Sequence, residues 1–178
     1  MPPGADSSAS DQDLVERANA GESDAFECLY LRHRDWVIAV AYRFSGSRDD
    51  AVEVLQDAFL YFFGKFPGFE LTSSLRTFLY PTVKHLSLDR RRRRHPTLDV
   101  DALEAELPQL AAAEPGAGLG LTRAMNELPA AQREVVLLRF VDDLSLEQIA
   151  VAADVPLGTV KSRLHHAIQA LQQRLKKE

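Results

Sequence analysis

The sequence predicts an all-α chain: two small helical domains joined by a flexible acidic linker. Three observations carry this. Apolar residues recur at helical spacing along most of the chain, and strand-like alternation is absent. Residues 96–120 change character, holding Pro96, Pro108, Pro115, Gly116, Gly118 and Gly120, many alanines, and five acids with no base. Residues 144–164 read as two helices around a tight turn. The expected division is a disordered tail over 1–10, a four-helix domain over 11–95, the linker over 96–120 and a second helical domain over 121–178.

The first helix is expected from about Asp11 to Ala20, with Gly21 as its stop. The second begins near Ser23 or Asp24 and continues through Phe26, Leu29, Tyr30, Trp36, Val37 and Val40 to about Phe44, where Ser45-Gly46-Ser47 breaks it. The third runs from about Asp49 to Phe63, with Val52, Leu55, Ala58, Phe59 and Phe62 on one apolar stripe. Gly64-Lys65-Phe66-Pro67-Gly68 ends it. The fourth starts around Ser73 or Ser74, enters an arginine cluster and stops before Pro96. Leu75, Phe78, Leu79, Val83 and Leu86 form its expected core stripe, leaving Arg76, Tyr80, Lys84, His85 and Arg90 for other faces. Pro81 removes a helical hydrogen bond, so a kink or a shifted start is expected there. In the second domain a short helix from Leu121 to Leu128 precedes one from Pro129 to Phe140.

The stretch after it is the most informative. Ser145 can cap a helix, and Gln148 three residues on completes a capping box. Leu146, Ile149 and Ala150 follow at helical spacing, and Ala153-Asp154-Val155 supplies a turn. Pro156 suits the first turn of the next helix, where its missing N–H has no partner to lose. Val160 and Leu164, four apart, face inward there. Thr159, Lys161, Ser162, Arg163 and His166 are left for an outer surface that is short, polar and basic, as a helix in the DNA major groove requires. The bland alternative is a helical hairpin with a solvated face, and the full run of motif residues argues against it.

The net charge of −5 is unevenly spread. Residues 76–94 hold seven bases against one acid, whereas residues 1–75 hold thirteen acids against six bases. Such asymmetry suggests a polyanion for the basic block and a basic or protein partner for the rest. A basic helix with aromatics can neutralise phosphates and stack on unpaired bases. The run Arg90–Arg94 exceeds what a solvated face needs; Phe78 can serve core or stacking, with core favoured.

Enzymatic function is not expected. Glu53 and Asp57 could do acid–base work, but a docking or solvated face is the commoner use of two helical carboxylates. His165 and His166 point about 100° apart on a helix and cannot chelate one ion together. His33, His85 and His95 lack companions at metal-ligand spacing, and no phosphate-binding glycine loop is present. The single cysteine, Cys28, allows no intramolecular disulfide or cysteine cluster and fits a reducing compartment. No metal, cofactor or small-molecule substrate is expected. Met1 to Ser10 does not read as a signal peptide, and no apolar run approaches the roughly 20 residues of a membrane span. A cytoplasmic chain without membrane insertion is expected.

On these residues the chain resembles a bacterial RNA polymerase sigma factor of the small, two-domain extracytoplasmic-function (ECF) type of the sigma-70 family. Asp50-Ala51-Val52-Glu53-Val54-Leu55-Gln56-Asp57-Ala58-Phe59-Leu60 is similar to the family's region 2.2. Leu75 to Tyr80 and Lys84 to Arg91 resemble regions 2.3 and 2.4, Glu127 to Phe140 region 4.1, and Leu144 to Leu164 region 4.2. The resemblance implies a factor that binds core RNA polymerase, at its beta-prime clamp and beta flap, and directs promoter-specific initiation. It implies docking through Leu55, Gln56, Asp57 and Phe59. It implies −10 DNA contacts from Ser73, Ser74, Arg76, Phe78, Tyr80, Lys84, His85, Arg90 and Arg91, with an extruded base held by the loop over Phe69–Ser74. It implies −35 contacts from Pro156, Gly158, Thr159, Lys161, Ser162, Arg163 and His166, and a phosphate contact from Arg133. The linker is expected to thread the basic channels of the polymerase, and an anti-sigma factor is an expected partner.

The sequence departs from the family pattern at several of these positions. Members commonly carry Trp where Phe78 stands, a base where Pro81 stands, Asn where His85 stands and Arg where His166 stands. The loop Gly68 to Ser74 lacks the usual basic-glycine pair. Two other functions fit parts of the sequence: a sigma-like interaction module that binds an anti-sigma factor, and a dimeric helix-turn-helix regulator. Lys161, Arg163 and the arginine run argue against the first, and the stretch from Asp50 to Leu60 against the second.

Overall fold

The computed structural model describes residues 9–96 and 119–176, and all regular structure among them is helical. These residues divide into two compact units, parting between Arg90 and Arg91. Residues 1–8 of the tail expected over 1–10, and residues 97–118 of the linker expected over 96–120, lie outside the described residues.

The first unit has four helices: α1 (Asp11–Asn19), α2 (Ser23–Ser45), α3 (Arg48–Phe63) and α4 (Leu75–Arg94). Local chemistry sets their ends. Ser10 caps α1: its Oγ accepts from Asp13 N–H at 3.1 Å, and the Asp13 carboxylate accepts from Ser10 N–H at 2.9 Å. Ser10 is therefore a structural cap and not, as the sequence suggested, part of a disordered tail. Gly21 follows α1 at φ +89° and Gly46 caps α2 at φ +69°, conformations that cost glycine least. Ser47 caps α3, and the Ser74 Oγ accepts from Thr77 N–H at 3.1 Å at the start of α4.

The core follows helical periodicity. Leu14, Val15 and Ala18 of α1, Leu29, Val37 and Val40 of α2, and Ala51, Val54, Ala58 and Phe62 of α3 are all buried. Leu75, Leu79 and Val83 of α4 are fully buried. So is Tyr80, whose ring meets Phe44 edge-on at a centroid distance of 6.1 Å. Rings of Phe26, Phe59, Phe62, Phe63, Phe66, Phe69 and Phe78 form one continuous aromatic cluster that joins the start of α2, the end of α3, the loop that follows and α4. Two stripe assignments change. Val52 is exposed while Val54 is buried, and Leu86 is half-buried while Ser87 and Leu88 are buried. Pro81 lies exposed inside α4, which starts at Leu75 and runs through it; its start is not shifted.

The second unit also has four helices: α5 (Leu119–Asn126), α6 (Ala130–Phe140), α7 (Leu146–Ala152) and α8 (Leu157–Leu175). Helix α5 begins inside the stretch expected to be linker. Met125, Leu128, Val136, Leu137 and Ala167 form one buried cluster, covered by Leu164, Ala170 and Leu171. Arg174 of α8 fixes the turn after α5, reaching the Glu127 carboxylate at 3.0 Å and donating to the Glu127 carbonyl at 3.3 Å. Among the described residues no helix is long and apolar enough to cross a membrane.

Helix α1 is pinned to α2 by one carboxylate. Asp11 accepts from Arg32 Nη1 at 2.8 Å and lies 2.8 Å from Nε2 of buried His33. Partial burial pushes the Asp11 carboxyl upward, but the His33 and Arg32 hydrogen bonds and charges outweigh it and hold it below the usual aspartate range. A depressed carboxyl contributes stability above its unfolded value and loses it as pH falls through the folded value. Asp11→Asn should therefore unfold more easily than wild type at neutral pH, with the gap closing in acid below the aspartate range. Chemical denaturation at a series of pH values measures this; a pH-independent gap would mean that the charge of Asp11 does not hold α1.

Candidate nucleic-acid interface

The helix-turn-helix of the second unit is built as its residues dictate. Ser145 Oγ accepts from Gln148 N–H at 3.1 Å, and Gln148 Oε1 accepts from Ser145 N–H at 2.8 Å, so the capping box closes. Asp154 takes φ +51° in the turn, a conformation aspartate tolerates better than most residues. Pro156 is the residue before α8 rather than its first helical residue. Leu144, Ile149, Ala152 and Val160 are buried between α7 and α8. Pro156, Gly158, Lys161, Ser162 and His166 are exposed, and Thr159, Arg163 and Leu164 are half-buried. The first half of α8 thus presents a polar, basic outer face held by an apolar inner one, and its second half completes the core through Ala167. A Cβ at Gly158 would meet nothing within 4 Å, so no internal packing demands glycine there. Glycine in a helix costs about 1 kcal/mol relative to alanine, and open space around it leaves room for close approach by something outside the chain.

Arg133 does not belong to this surface. It is buried, and its Nη2 donates to the carbonyls of Asn126 at 2.7 Å and Leu128 at 3.0 Å, tying down the end of α5. Burial pushes its guanidinium pKa downward. Its role is to satisfy orphan carbonyls at a helix end, which sequence position alone does not distinguish from a phosphate contact.

The surface expected on α4 is only partly assembled. Tyr80 is in the core and offers no stacking face. Phe78 is half-buried, with Phe69 at 4.8 Å and the stacked Tyr61 ring at 6.2 Å, so one part packs and one part remains accessible. Arg76 and Lys84 lie over the Trp36 and Phe44 rings, each 5.6 Å from the centroid, which aligns both cations along the α2 side of α4. Ser73 and His85 are exposed, and His85 Nε2 lies 3.3 Å from the Asp89 carboxylate. Ser74 is engaged in capping, and its Oγ lies 2.8 Å from Thr77 Oγ1. Arg91 is half-buried.

Arg90 departs most from expectation. Its guanidinium bridges Glu53 and Asp57 of α3, with Nη2 2.6 Å from the Asp57 carboxylate. Its hydrogen bond to the Asp57 carboxylate leads the causes that raise its pKa. Arg90 therefore clamps α4 to α3, and the Glu53 and Asp57 charges are spent partly within the chain. Of the expected docking residues, Leu55 and Phe59 are buried core, Gln56 is exposed and Asp57 is half-buried. The outer face of α3 instead carries exposed Val52, Gln56 and Leu60, four residues apart, with Tyr61 beside them. That second apolar stripe was present in the sequence, and two competing stripes on one helix could have signalled it. The second unit likewise exposes Phe140, Val141 and Val151. Among the described residues no three His, Cys, Asp or Glu side chains converge as a metal site would need.

Residues 29–97 match the family Sigma-70 region 2, and residues 119–171 match Sigma-70, region 4. The chain is similar to the ECF RNA polymerase sigma-E factor of Escherichia coli (strain K12), with 34% identity over 179 residues, 90% of this chain and 92% of that one. It is also similar to the ECF RNA polymerase sigma factor SigW of Bacillus subtilis, with 26% identity across 91% of this chain and 95% of that one. Among solved structures it resembles the sigma factor RpoE of Bartonella quintana, determined with the anti-sigma factor NepR. There the TM-score is 0.63 and the identity 28%, covering 85% of this chain and 96% of that one.

Arg133→Met should lower stability by about 1–3 kcal/mol, because two carbonyls lose their donor. The folded variant should keep the wild-type salt dependence of DNA binding, since no phosphate contact is removed. Urea unfolding and salt-titrated binding to duplex promoter DNA separate the two roles. Unchanged stability with a shallower salt slope would return Arg133 to the DNA surface.

Proposed function

Since the chain belongs to the ECF group of the sigma-70 family of RNA polymerase sigma factors, we propose how its surfaces divide promoter-directed initiation between them. The first half of α8 reads the −35 element in the major groove. Lys161 and Arg163 make base or phosphate contacts, and Thr159, Ser162 and the backbone at the start of α8 meet phosphates. The single observation that carries this is the outer face of α8: exposed Lys161, Ser162 and His166 around a Gly158 whose Cβ position is open.

Region 2 handles the −10 element. Arg76, Lys84, His85 and Arg91 neutralise phosphate, the accessible part of Phe78 stacks on a base, and Ser73 with its loop holds an extruded base. Tyr80 and Arg90 act indirectly, by fixing α4 on α2 and α3. The outer face of α3, with Val52, Gln56 and Leu60, docks on the clamp helices of core polymerase. Exposed Phe140, Val141 and Val151 supply apolar area for the flap. The role is binding and positioning rather than catalysis, and the chain acts in the cytoplasm with the polymerase. The similarity to a sigma factor held by an anti-sigma factor supports a regulator of that kind here.

Run-off transcription with purified core polymerase on a promoter library tests the reading. New start sites sharing −35 and −10 motifs are expected only when this protein is added; no new starts despite confirmed polymerase binding would overturn it. Two variants sharpen the assignment. Leu60→Asp should weaken core binding about tenfold or more without lowering the unfolding midpoint, because Leu60 is 70% exposed in the free chain. Unchanged core affinity would move the docking face elsewhere. Arg163→Ala should reduce use of promoters with an intact −35 element by about 1–3 kcal/mol, the range of one bidentate base contact. Equal loss on promoters lacking that element would remove Arg163 from sequence readout.

A further inference from the structure

Asn19, the last residue of α1, is half-buried and reaches the loop after α3. Its Oδ1 accepts from Gly68 N–H at 2.7 Å and from Phe69 N–H at 3.1 Å, and its Nδ2 donates to the Phe69 carbonyl at 2.8 Å. Both edges of the carboxamide are engaged, and both Oδ1 lone pairs are filled. A flipped amide would set NH2 against two N–H groups and oxygen against a carbonyl, so the orientation follows from the partners. Gly68 adopts φ +95°, which turns two successive N–H groups toward the same oxygen. The Phe69 ring is held separately, by Phe62 at 5.3 Å and Phe78 at 4.8 Å.

The loop is fixed at its other end too, by the Ser74 cap of α4. Between these anchors lie Glu70, Thr72 and Ser73, exposed, and Leu71, half-buried. Four residues strung between two fixed points have little freedom, so the position of Phe69 sets where their side chains and backbone groups stand. An extruded base needs those groups pre-placed, because a loop that must order on binding discriminates less for the same contacts.

We propose that Asn19 is a positioning residue for −10 recognition, so that α1, to which no DNA contact is assigned, helps set which base the loop accepts. This rests on residues 69–74 being the −10 loop. An alanine at position 19 releases the backbone groups of Gly68 and Phe69, leaving Phe69 held by its ring contacts alone. An aspartate keeps the two acceptor contacts and faces a carboxylate oxygen to the Phe69 carbonyl, which it cannot bond. The effect is therefore graded, wild type above Asn19→Asp above Asn19→Ala.

The test uses the full chain with core RNA polymerase on promoters randomised across the −10 element, together with core affinity and the unfolding midpoint of each variant. Asn19→Ala is expected to flatten the base preference at one or two −10 positions by about fivefold or more, the scale of a single base contact. Core affinity and −35 preference stay within twofold, an effect near the limit of one weak contact. Asn19→Asp, which retains more of the anchor, gives an intermediate matrix. If both variants lower activity equally on every −10 sequence, Asn19 is structural only and the proposal fails. If Thr72→Ala and Ser73→Ala leave the wild-type −10 preference unchanged, the loop does not read the base. In that case the underlying assignment fails, and the proposal with it.

Discussion

Burial of the inner face of α4 against α2 and α3 is the constraint on which the first unit depends. Leu75, Leu79, Tyr80 and Val83 are all sealed from solvent, so the rotation of α4 about its axis is fixed. Deleting any one of these large side chains would cost about 2–5 kcal/mol, a large fraction of the stability of a small unit. With that rotation fixed, the polar residues have no choice of direction. Arg76 and Lys84 line the α2 side over aromatic rings, His85 faces outward, and Arg90 falls opposite Glu53 and Asp57. The surface proposed to read DNA is what remains after the core has taken its share of the helix.

The same logic explains α3 and α8. Helix α3 gives Ala51, Val54, Leu55, Ala58, Phe59 and Phe62 to the core and keeps Val52 and Leu60 outside. An apolar stripe left in solvent on a helix with a satisfied core is the usual mark of a docking face. In the second unit α8 divides by length. Its first half faces outward beyond Val160, and its second half packs Ala167 against α5 and α6, so the face proposed to read DNA is held by the same helix that carries it.

The sequence was most legible where structure is local. The Ser145–Gln148 capping box, the glycine stops after α1 and α2, and the turn at Asp154 depend on residues within a few positions of one another. Legibility failed where the outcome depends on a distant partner. Tyr80 sits one residue from a core leucine, and its ring meets that of Phe44, on a different helix, inside the core. Arg90 and Arg133 look like any other arginines beside DNA-reading helices, yet one answers two carboxylates 33 and 37 residues away and the other caps a preceding helix. Asn19 and Phe69 are fifty residues apart, and nothing in either neighbourhood marks the pair. Helical periodicity names a stripe but not which of two stripes is buried, which is why Val52 was placed inside and Val54 was not.

The central claim is that region 4 and region 2 of this chain read two separate promoter elements on one polymerase. A mutant cycle in reconstituted transcription tests it most directly, crossing Arg163→Ala with promoters altered at the −35 element alone or at the −10 element alone. The account predicts that Arg163→Ala and the −35 change are no worse together than singly, whereas Arg163→Ala and the −10 change multiply. Full multiplicativity with the −35 change, or loss of it with the −10 change, would contradict the assignment of α8 to the upstream element.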